Sequence, residues 1–301
     1  MADKTILVAG GAGQVARALA DMALPEGLTV VARGRPDLDL LDAASIAGAM
    51  ETFRPDFVVN AAAYTGVDQA ESDEAAAFAL NAEAPGRLAG AAARAGIPII
   101  HLSTDYVFDG SKDAPYTEAD PVAPLGVYGR SKLAGEETVA AANPDHIILR
   151  TAWVYSPVGK NFVKTMLRVG AGRDELGVVD DQRGNPTSAA DIATGIVKVA
   201  GQVLSGAAPV KPGIYHMIAA GEASWADFAQ YIFACSATLG GPVARVNRIT
   251  SDEYPTPVRR PANSRLNSSK LAAAYDVELP HWQGSTRACV EQLVKTEGWN
   301  A

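Results

Sequence analysis

In the stretch VYGRSKLAGE, residues 127 to 136, Tyr128 and Lys132 stand four residues apart. On a helix that spacing puts both side chains on one face, with Cβ atoms about 5–6 Å apart. A phenol beside an ammonium can transfer a proton, because the positive charge favours the phenolate. A free tyrosine titrates near pH ~10. An ammonium ~5 Å away, at an effective dielectric near ~20, favours the phenolate by roughly 3 kcal/mol. That corresponds to about two pKa units, an upper bound because burial penalises the charged phenolate. The same spacing also suits a packed aromatic beside a lysine whose stem lies along it. The pair alone leaves both readings open.

A second stretch suits a phosphate rather than a proton. The run TILVAG (5–10) enters VAGGAGQVARALA, where Gly10, Gly13 and Ala16 form a G-x-x-G-x-x-A rhythm around Gln14 and Val15. Glycines let the main chain approach a pyrophosphate, and the following helix offers its free amides and dipole. The plain alternative is a tight strand-to-helix turn without a ligand. At the end of the next apolar run the chain reads Ala32-Arg33-Gly34-Arg35, with no acid until Asp37. A carboxylate there would select the free 2′-hydroxyl of NAD, whereas arginine pairs with a 2′-phosphate and points to NADPH, with NADH still open. A solvated loop arginine is the plain reading of Arg33. Asp39 and Leu40 follow closely enough to border an adenine.

These side chains need a frame to bring them together. Short apolar runs occur at 5–10, 28–33, 56–62, 98–106 and 146–155, with helical patterns near 14–24, 43–53, 73–95 and 127–142 between them. Continuously apolar strands imply burial on both faces, as in a parallel sheet covered by helices. The alternation predicts an α/β fold, a Rossmann-type doubly wound sheet over residues 1–156. Beyond it, LGVVDDQ (176–182) and GIYHMIA (213–219) read as strands amid many prolines. Residues 157–301 are therefore expected to form mainly a smaller, loop-rich substrate domain, with a helix near 188–204 packing back on the first.

Composition narrows the partners. The 301 residues carry a net charge of −8, with 48% hydrophobic and 20% charged residues. This acidic balance argues against a nucleic-acid binder. No apolar run approaches the ~20 residues of a membrane span, and MADKTILVAGG has no signal-peptide character. Cys235 and Cys289 have no metal-type spacing and read as reduced thiols of a cytoplasmic protein. His101, His146, His216 and His281 are scattered singly, and none is assigned to a metal.

Five further stretches carry a resemblance: VVNAAAYTGVDQAE (58–71), HLSTDYVFDG (101–110), PLGVYGRSKLAGE (124–136), RTAWVY (150–155) and YPTPVRRPANSRL (254–266). In the same order, and over essentially the whole chain, they resemble the dTDP-4-dehydrorhamnose reductase family of extended short-chain dehydrogenases/reductases. The glycine turn and Y-x-x-x-K are shared by many relatives; STDYVFDG and RRPANSRL are more particular. The resemblance implies NADPH-dependent reduction of the C4 keto group of dTDP-4-dehydro-L-rhamnose. It makes Tyr128 the proton donor, Lys132 the residue that holds the nicotinamide ribose and acidifies the tyrosine, and Thr104 a hydroxyl beside the reacting oxygen. It puts Ala61, Ala62, Ala63 and Tyr64 along the cofactor. Thr65, Val67, Asp105, Tyr106 and Trp153 would face the sugar, with Asn161, Phe162, Pro186 and Thr187 where the domains meet around the nucleotide. Arg259, Arg260, Asn263 and Arg265 form a dense cationic cluster suited to a diphosphate, or else a solvated basic turn.

One departure concerns metal. Some members join subunits through a divalent cation held by glutamates, and the matching positions here are Ala18, Ala190 and Gln292, with Glu291 adjoining the last. Alanine supplies no ligand, so a Mg²⁺-bridged dimer is not expected; a monomer or weak homodimer is. Two alternatives stay open: another extended short-chain sugar-nucleotide reductase or epimerase, and a non-catalytic NAD(P)-binding regulatory subunit. The latter has no need for Thr104, Tyr128 and Lys132 together.

Overall fold

In the computed structural model, which describes residues 3–296, six short segments form one sheet. Its order is Gly213–His216, His146–Thr151, Ile99–Thr104, Phe57–Asn60, Lys4–Ala9 and Leu28–Arg33. All five pairings are parallel. The chain runs outward on one side of Lys4–Ala9 and then on the other, which makes the sheet doubly wound. Alternate residues enter two cores. Ile6, Val8, Val59, Ile100 and Leu149 meet Leu19, Ile192 and Ile196 on one face. Leu7, Val58, Ile99 and Ile148 meet Ile46, Leu88 and Val139 on the other. Burial on both faces is why these strands read as unbroken apolar runs.

The chain does not divide cleanly at residue 156. Gly213–His216, expected in the smaller domain, pairs in register with Ile147–Arg150 and completes the first sheet. The helix Ala189–Leu204 covers that sheet, with Ile192, Ala193 and Ile196 fully buried. An open apolar edge on His146–Thr151 needs such a partner strand. The second lobe is built from the remaining segments. Glu175–Val179 pairs parallel with Arg245–Ile249, and the helices Phe162–Gly170, Trp225–Ala237 and Trp282–Thr296 pack around Phe228 and Ile232.

Two elements depart from the expected pattern. The segment 146–155 breaks into His146–Thr151 and Val154–Tyr155, because Trp153 takes a left-handed backbone with φ 48°. That conformation is costly for a bulky residue. It is held by Thr187 N–H donating to Trp153 O (3.2 Å) and by the Trp153 ring stacking on Trp225. The expected helix over 73–95 contains a widened π turn, Ala79–Glu83, between Glu74–Phe78 and Ala84–Arg94.

That turn presses the Asn81 carbonyl against Gly135 of the helix Val127–Ala142, where an added Cβ would overlap it. Gly→Ala inside an exposed helix is ordinarily stabilising by up to ~1 kcal/mol. Here the obstruction is backbone and cannot rotate away. Gly135→Ala should therefore destabilise by about 1–3 kcal/mol through overpacking, read as a lowered urea midpoint.

Candidate active site

The strand Ile99–Thr104 ends in the sheet's interior at Thr104, which caps a single turn, Asp105–Val107. Thr104 Oγ1 accepts from Tyr106 N–H (3.2 Å) and donates to Asp105 Oδ1 (3.0 Å). The helix Val127–Ala142 starts beside this turn, with Val127 N–H donating to Glu71 Oε1 (2.7 Å). A Cβ at Gly129 would overlap the Tyr106 carbonyl, so this glycine lets the helix close onto the strand end. Tyr128 thereby lies edge-on to Tyr106, ring centroids 5.5 Å apart, and its hydroxyl meets that of Thr104. Thr104, Asp105, Tyr106 and Tyr128 form one cluster.

The electrostatics of this cluster differ from the sequence expectation. Burial is the largest influence on the Tyr128 phenol and pushes its pKa well above the ordinary value. The hydrogen bond with Thr104 opposes this, while Asp105 and Tyr106 add to it. Lys132 does not acidify the tyrosine in this structure. Its amine is buried and donates to Leu102 O (2.6 Å), with His101 Nε2 at 3.4 Å. Burial lowers its pKa to about 8, against the pull of Glu136. Spacing put the two groups on one helix face, but the neighbouring strand supplies the carbonyl that captures the amine. Asp105 is pushed up to about 6 by burial, opposed by hydrogen bonds from Ser264 and Thr104.

The glycine turn lies at the end of Lys4–Ala9. Gly10 (φ 96°) and Gly11 donate to Arg33 O, each at 2.9 Å, and Gly13 N–H donates to Gly10 O (2.7 Å). A Cβ at Gly10 would sit 2.7 Å from Ala62 N, so the turn rests against Ala61 and Ala62. Gly13 precedes the helix Gln14–Asp21 with no side-chain cap. The first helical amides are thus open to an anion, and the turn fits a dinucleotide. Ala63 and Tyr64 continue along the same rim. Asn81 clamps the Tyr64 backbone, accepting from its N–H (2.7 Å) and donating to its carbonyl (3.0 Å). Arg33 is half-buried, folded over the Phe53 ring with NH1 on Ala32 O. Asp39 Oδ1 accepts from Leu41 N–H, and Leu40 is buried in the core.

Several predicted contact residues have partners within the protein. Val15 is core. Gln14 Oε1 accepts from Ser156 Oγ and Asn161 Nδ2, both at 2.9 Å. Asn161 caps the helix Phe162–Gly170, and Phe162 packs on Trp225 and Phe228. Pro186 is buried, and the Thr187 hydroxyl donates to Asn185 O and accepts from Ala219 N–H. Asn263 holds Lys112 O and Ala114 O with its amide NH₂, while its oxygen accepts from Arg265. Of these, the Gln14–Asn161 bond ties the first helix to the start of the second lobe.

The open side of the cluster carries the remaining expected sugar contacts. Thr65 is exposed, and Val67 begins the short helix Val67–Ala70. Arg260 pairs with Asp68 (2.8 Å), while its buried NH1 and the buried Asp68 Oδ1 lack protein partners. Arg259 and Arg260 border a cleft of about 790 Å³, together with Asp109, Leu125, Gln182 and Tyr254. A guanidinium with spare N–H groups beside a cleft can take an oxyanion. Arg265 instead pairs with Glu222.

Residues given no role in the sequence analysis also shape the site. Asn60 and His101 stand behind Lys132, Asn81 and Ser131 join the π turn to the catalytic helix, and Trp225 braces Trp153. Only the polarity of His101 inside an apolar strand hinted at any of them. Ala18 packs on the core, and Glu291, next to Gln292, is paired with Lys295 (2.6 Å).

Comparison with known proteins accounts for this arrangement. Residues 4–295 match the RmlD substrate binding domain family. The dTDP-4-dehydrorhamnose reductase of Sinorhizobium fredii is 49% identical over 289 residues, 96% of this chain and 97% of that protein. Among solved structures, the dTDP-4-dehydrorhamnose reductase of Clostridium acetobutylicum superimposes with a TM-score of 0.87 at 36% identity, covering 96% and 99% of the two chains. The Bacillus anthracis reductase in complex with NADP gives 0.89 at 31% identity, with the same coverage. By sequence and fold alike, this chain belongs to the dTDP-4-dehydrorhamnose reductase family.

Proposed function

We propose that this protein reduces the C4 keto group of dTDP-4-dehydro-L-rhamnose with NADPH, giving dTDP-L-rhamnose. The observation that carries the reading is the meeting of the Thr104 and Tyr128 hydroxyls at the same edge of the parallel sheet as the uncapped glycine turn. Bound NADPH supplies the hydride. Gly10, Gly13 and the first turn of Gln14–Asp21 would hold its pyrophosphate, Ala61–Tyr64 would line it, and Lys132 would take its ribose. Tyr128 gives its proton to the C4 oxygen, and Thr104 donates a hydrogen bond to the same atom. A phenol whose pKa is raised by burial is fully protonated near neutrality. That is the state required of an acid in the reductive direction. Arg260, which borders the cleft, would take the diphosphate.

Among the described residues no helix is long and apolar enough to cross a membrane. The buried, unpaired Cys235 and Cys289 suit work in the reducing cytoplasm. We infer a monomer or weak homodimer.

The test is NADPH oxidation followed with dTDP- and UDP-linked 4-keto sugars. Turnover with dTDP-4-dehydro-L-rhamnose and recovery of dTDP-L-rhamnose are expected; a chain inert toward all of them overturns the reading. Arg33→Ala should weaken NADPH about ten- to a hundredfold and leave NADH nearly unchanged, the span of one charge-assisted contact. Equal losses for both cofactors, measured by fluorescence titration, would remove Arg33 from the selection.

A further inference from the structure

Trp153 is held in a conformation that a large side chain does not prefer, and three neighbours hold it there. Its backbone is left-handed at φ 48°, a strain that persists only where the surroundings enforce it. Thr187 N–H donates to its carbonyl (3.2 Å). Its indole lies flat on that of Trp225, with ring centroids 3.5 Å apart and planes 7° from parallel. Gly184 leaves the room for this, since a Cβ there would sit 2.5 Å from Trp153 Cε2 and 2.7 Å from Nε1. Gly184 itself has no positive φ, so space is what its missing side chain supplies. Even so clamped, Trp153 is only half-buried.

The clamp belongs to the second lobe and the ring to the first. Arg183–Gly184 pairs antiparallel with Ala223–Ser224 and parallel with Asn263–Ser264, and Trp225 follows Ser224 as the first residue of its helix. Trp225 Nε1 donates to Gln182 Oε1 (3.2 Å), and Gln182 Nε2 donates to Ser251 Oγ (2.9 Å). Gln182 and Ser251 both line the cleft that carries Arg259 and Arg260. Trp153 stands two residues past Thr151, the register partner of Thr104. The stack therefore spans from the arginine cleft to the strand ends that carry the reacting groups.

We propose that Gly184 and Trp225 are positioning residues for sugar recognition: together they preset the plane of the Trp153 indole, which then receives the sugar as a fixed wall. This role rests on the sugar-nucleotide site proposed above. A preset ring gives up no rotamer freedom when the ligand arrives, which favours binding of a sugar that fits it. Such a wall serves ground state and transition state alike, so it acts on KM and leaves kcat nearly unchanged.

The first readout needs no ligand. Stacked indoles couple their transitions, so the wild-type protein should show an exciton couplet in ultraviolet circular dichroism. Trp225→Phe should abolish it, and Gly184→Ala should weaken it by displacing Trp153 while keeping both tryptophans. The second readout is calorimetric titration with dTDP-L-rhamnose and with dTDP alone. Gly184→Ala and Trp225→Leu should weaken dTDP-L-rhamnose about two- to tenfold, the span of one aromatic pair. Affinities for dTDP and NADPH should stay within about twofold. Trp225→Phe, which keeps a ring against Trp153, should recover most of the loss. KM for the sugar nucleotide should follow the same order at nearly constant kcat. A wild type without the couplet overturns the proposal. So do equal losses for dTDP and dTDP-L-rhamnose, or undiminished dTDP-L-rhamnose affinity in Trp225→Leu. Where Gly184→Ala does not fold, the wild-type couplet and the two Trp225 variants decide. A wild type that binds dTDP-L-rhamnose but does not reduce the 4-keto sugar overturns the reaction alone and leaves the positioning role standing.

Discussion

Tyr128→Phe should lower turnover by at least ~10²-fold, the lower range for a positioned acid, while leaving cofactor affinity within about twofold. The ring keeps its edge contact with Tyr106 and only the hydroxyl is lost. Thr104 remains hydrogen-bonded to Asp105 and Tyr106 and stays in place. It cannot substitute as acid, because an aliphatic hydroxyl is far weaker than a phenol. A loss in kcat and kcat/KM together is the pattern of an interaction made only in the transition state. Steady-state kinetics on a variant with native circular dichroism gives the answer. Near-normal turnover there would remove Tyr128 from the role of acid.

The second large effect is on stability, and it arises from an ion pair one turn beyond Lys132. Arg150 donates through Nε (2.8 Å) and NH2 (2.6 Å) to the two oxygens of Glu136, and Ser103 Oγ donates to the same carboxylate. Arg150 and Glu136 are each only 2% exposed, and Phe108 lies under the guanidinium at 5.1 Å. Arg150→Met strands a buried carboxylate, which costs about 3–5 kcal/mol. Replacing both partners, Glu136→Leu with Arg150→Met, leaves no uncompensated charge and should cost much less than the single change. Urea unfolding of the two variants separates these outcomes. A single change as mild as the double would mean that water reaches the pair. Because Glu136 also acts on Lys132, the double variant should in addition lower the lysine's affinity for protons.

The first lobe was legible in the sequence because its cause is local. A strand buried on both faces must be apolar at every position, and a crossover helix must follow it; both demands mark the chain residue by residue. The glycine turn is visible for the same reason, since Gly10 holds a backbone that other residues adopt only under strain. The fourfold spacing of Tyr128 and Lys132 correctly placed them on one helix.

What the spacing could not carry is the direction each side chain takes. Whether Lys132 serves Tyr128 or Leu102 depends on a carbonyl some thirty residues away in the chain. Whether the phenol is acidified or suppressed depends on how deeply the helix closes on the Tyr106 turn, which Gly129 permits but does not announce. The same holds for Asn161, Thr187 and Asn263. As residue types they suit a ligand, and only tertiary contacts show the partners their polar atoms have within the protein. The sixth strand follows this rule as well. GIYHMIA is recognisably a strand, but the edge it joins was created by a segment more than sixty residues earlier. Periodicity and backbone strain are written in the sequence because each residue bears them alone; hydrogen-bond partners, burial depth and the pKa values they set belong to pairs that only the folded chain brings together.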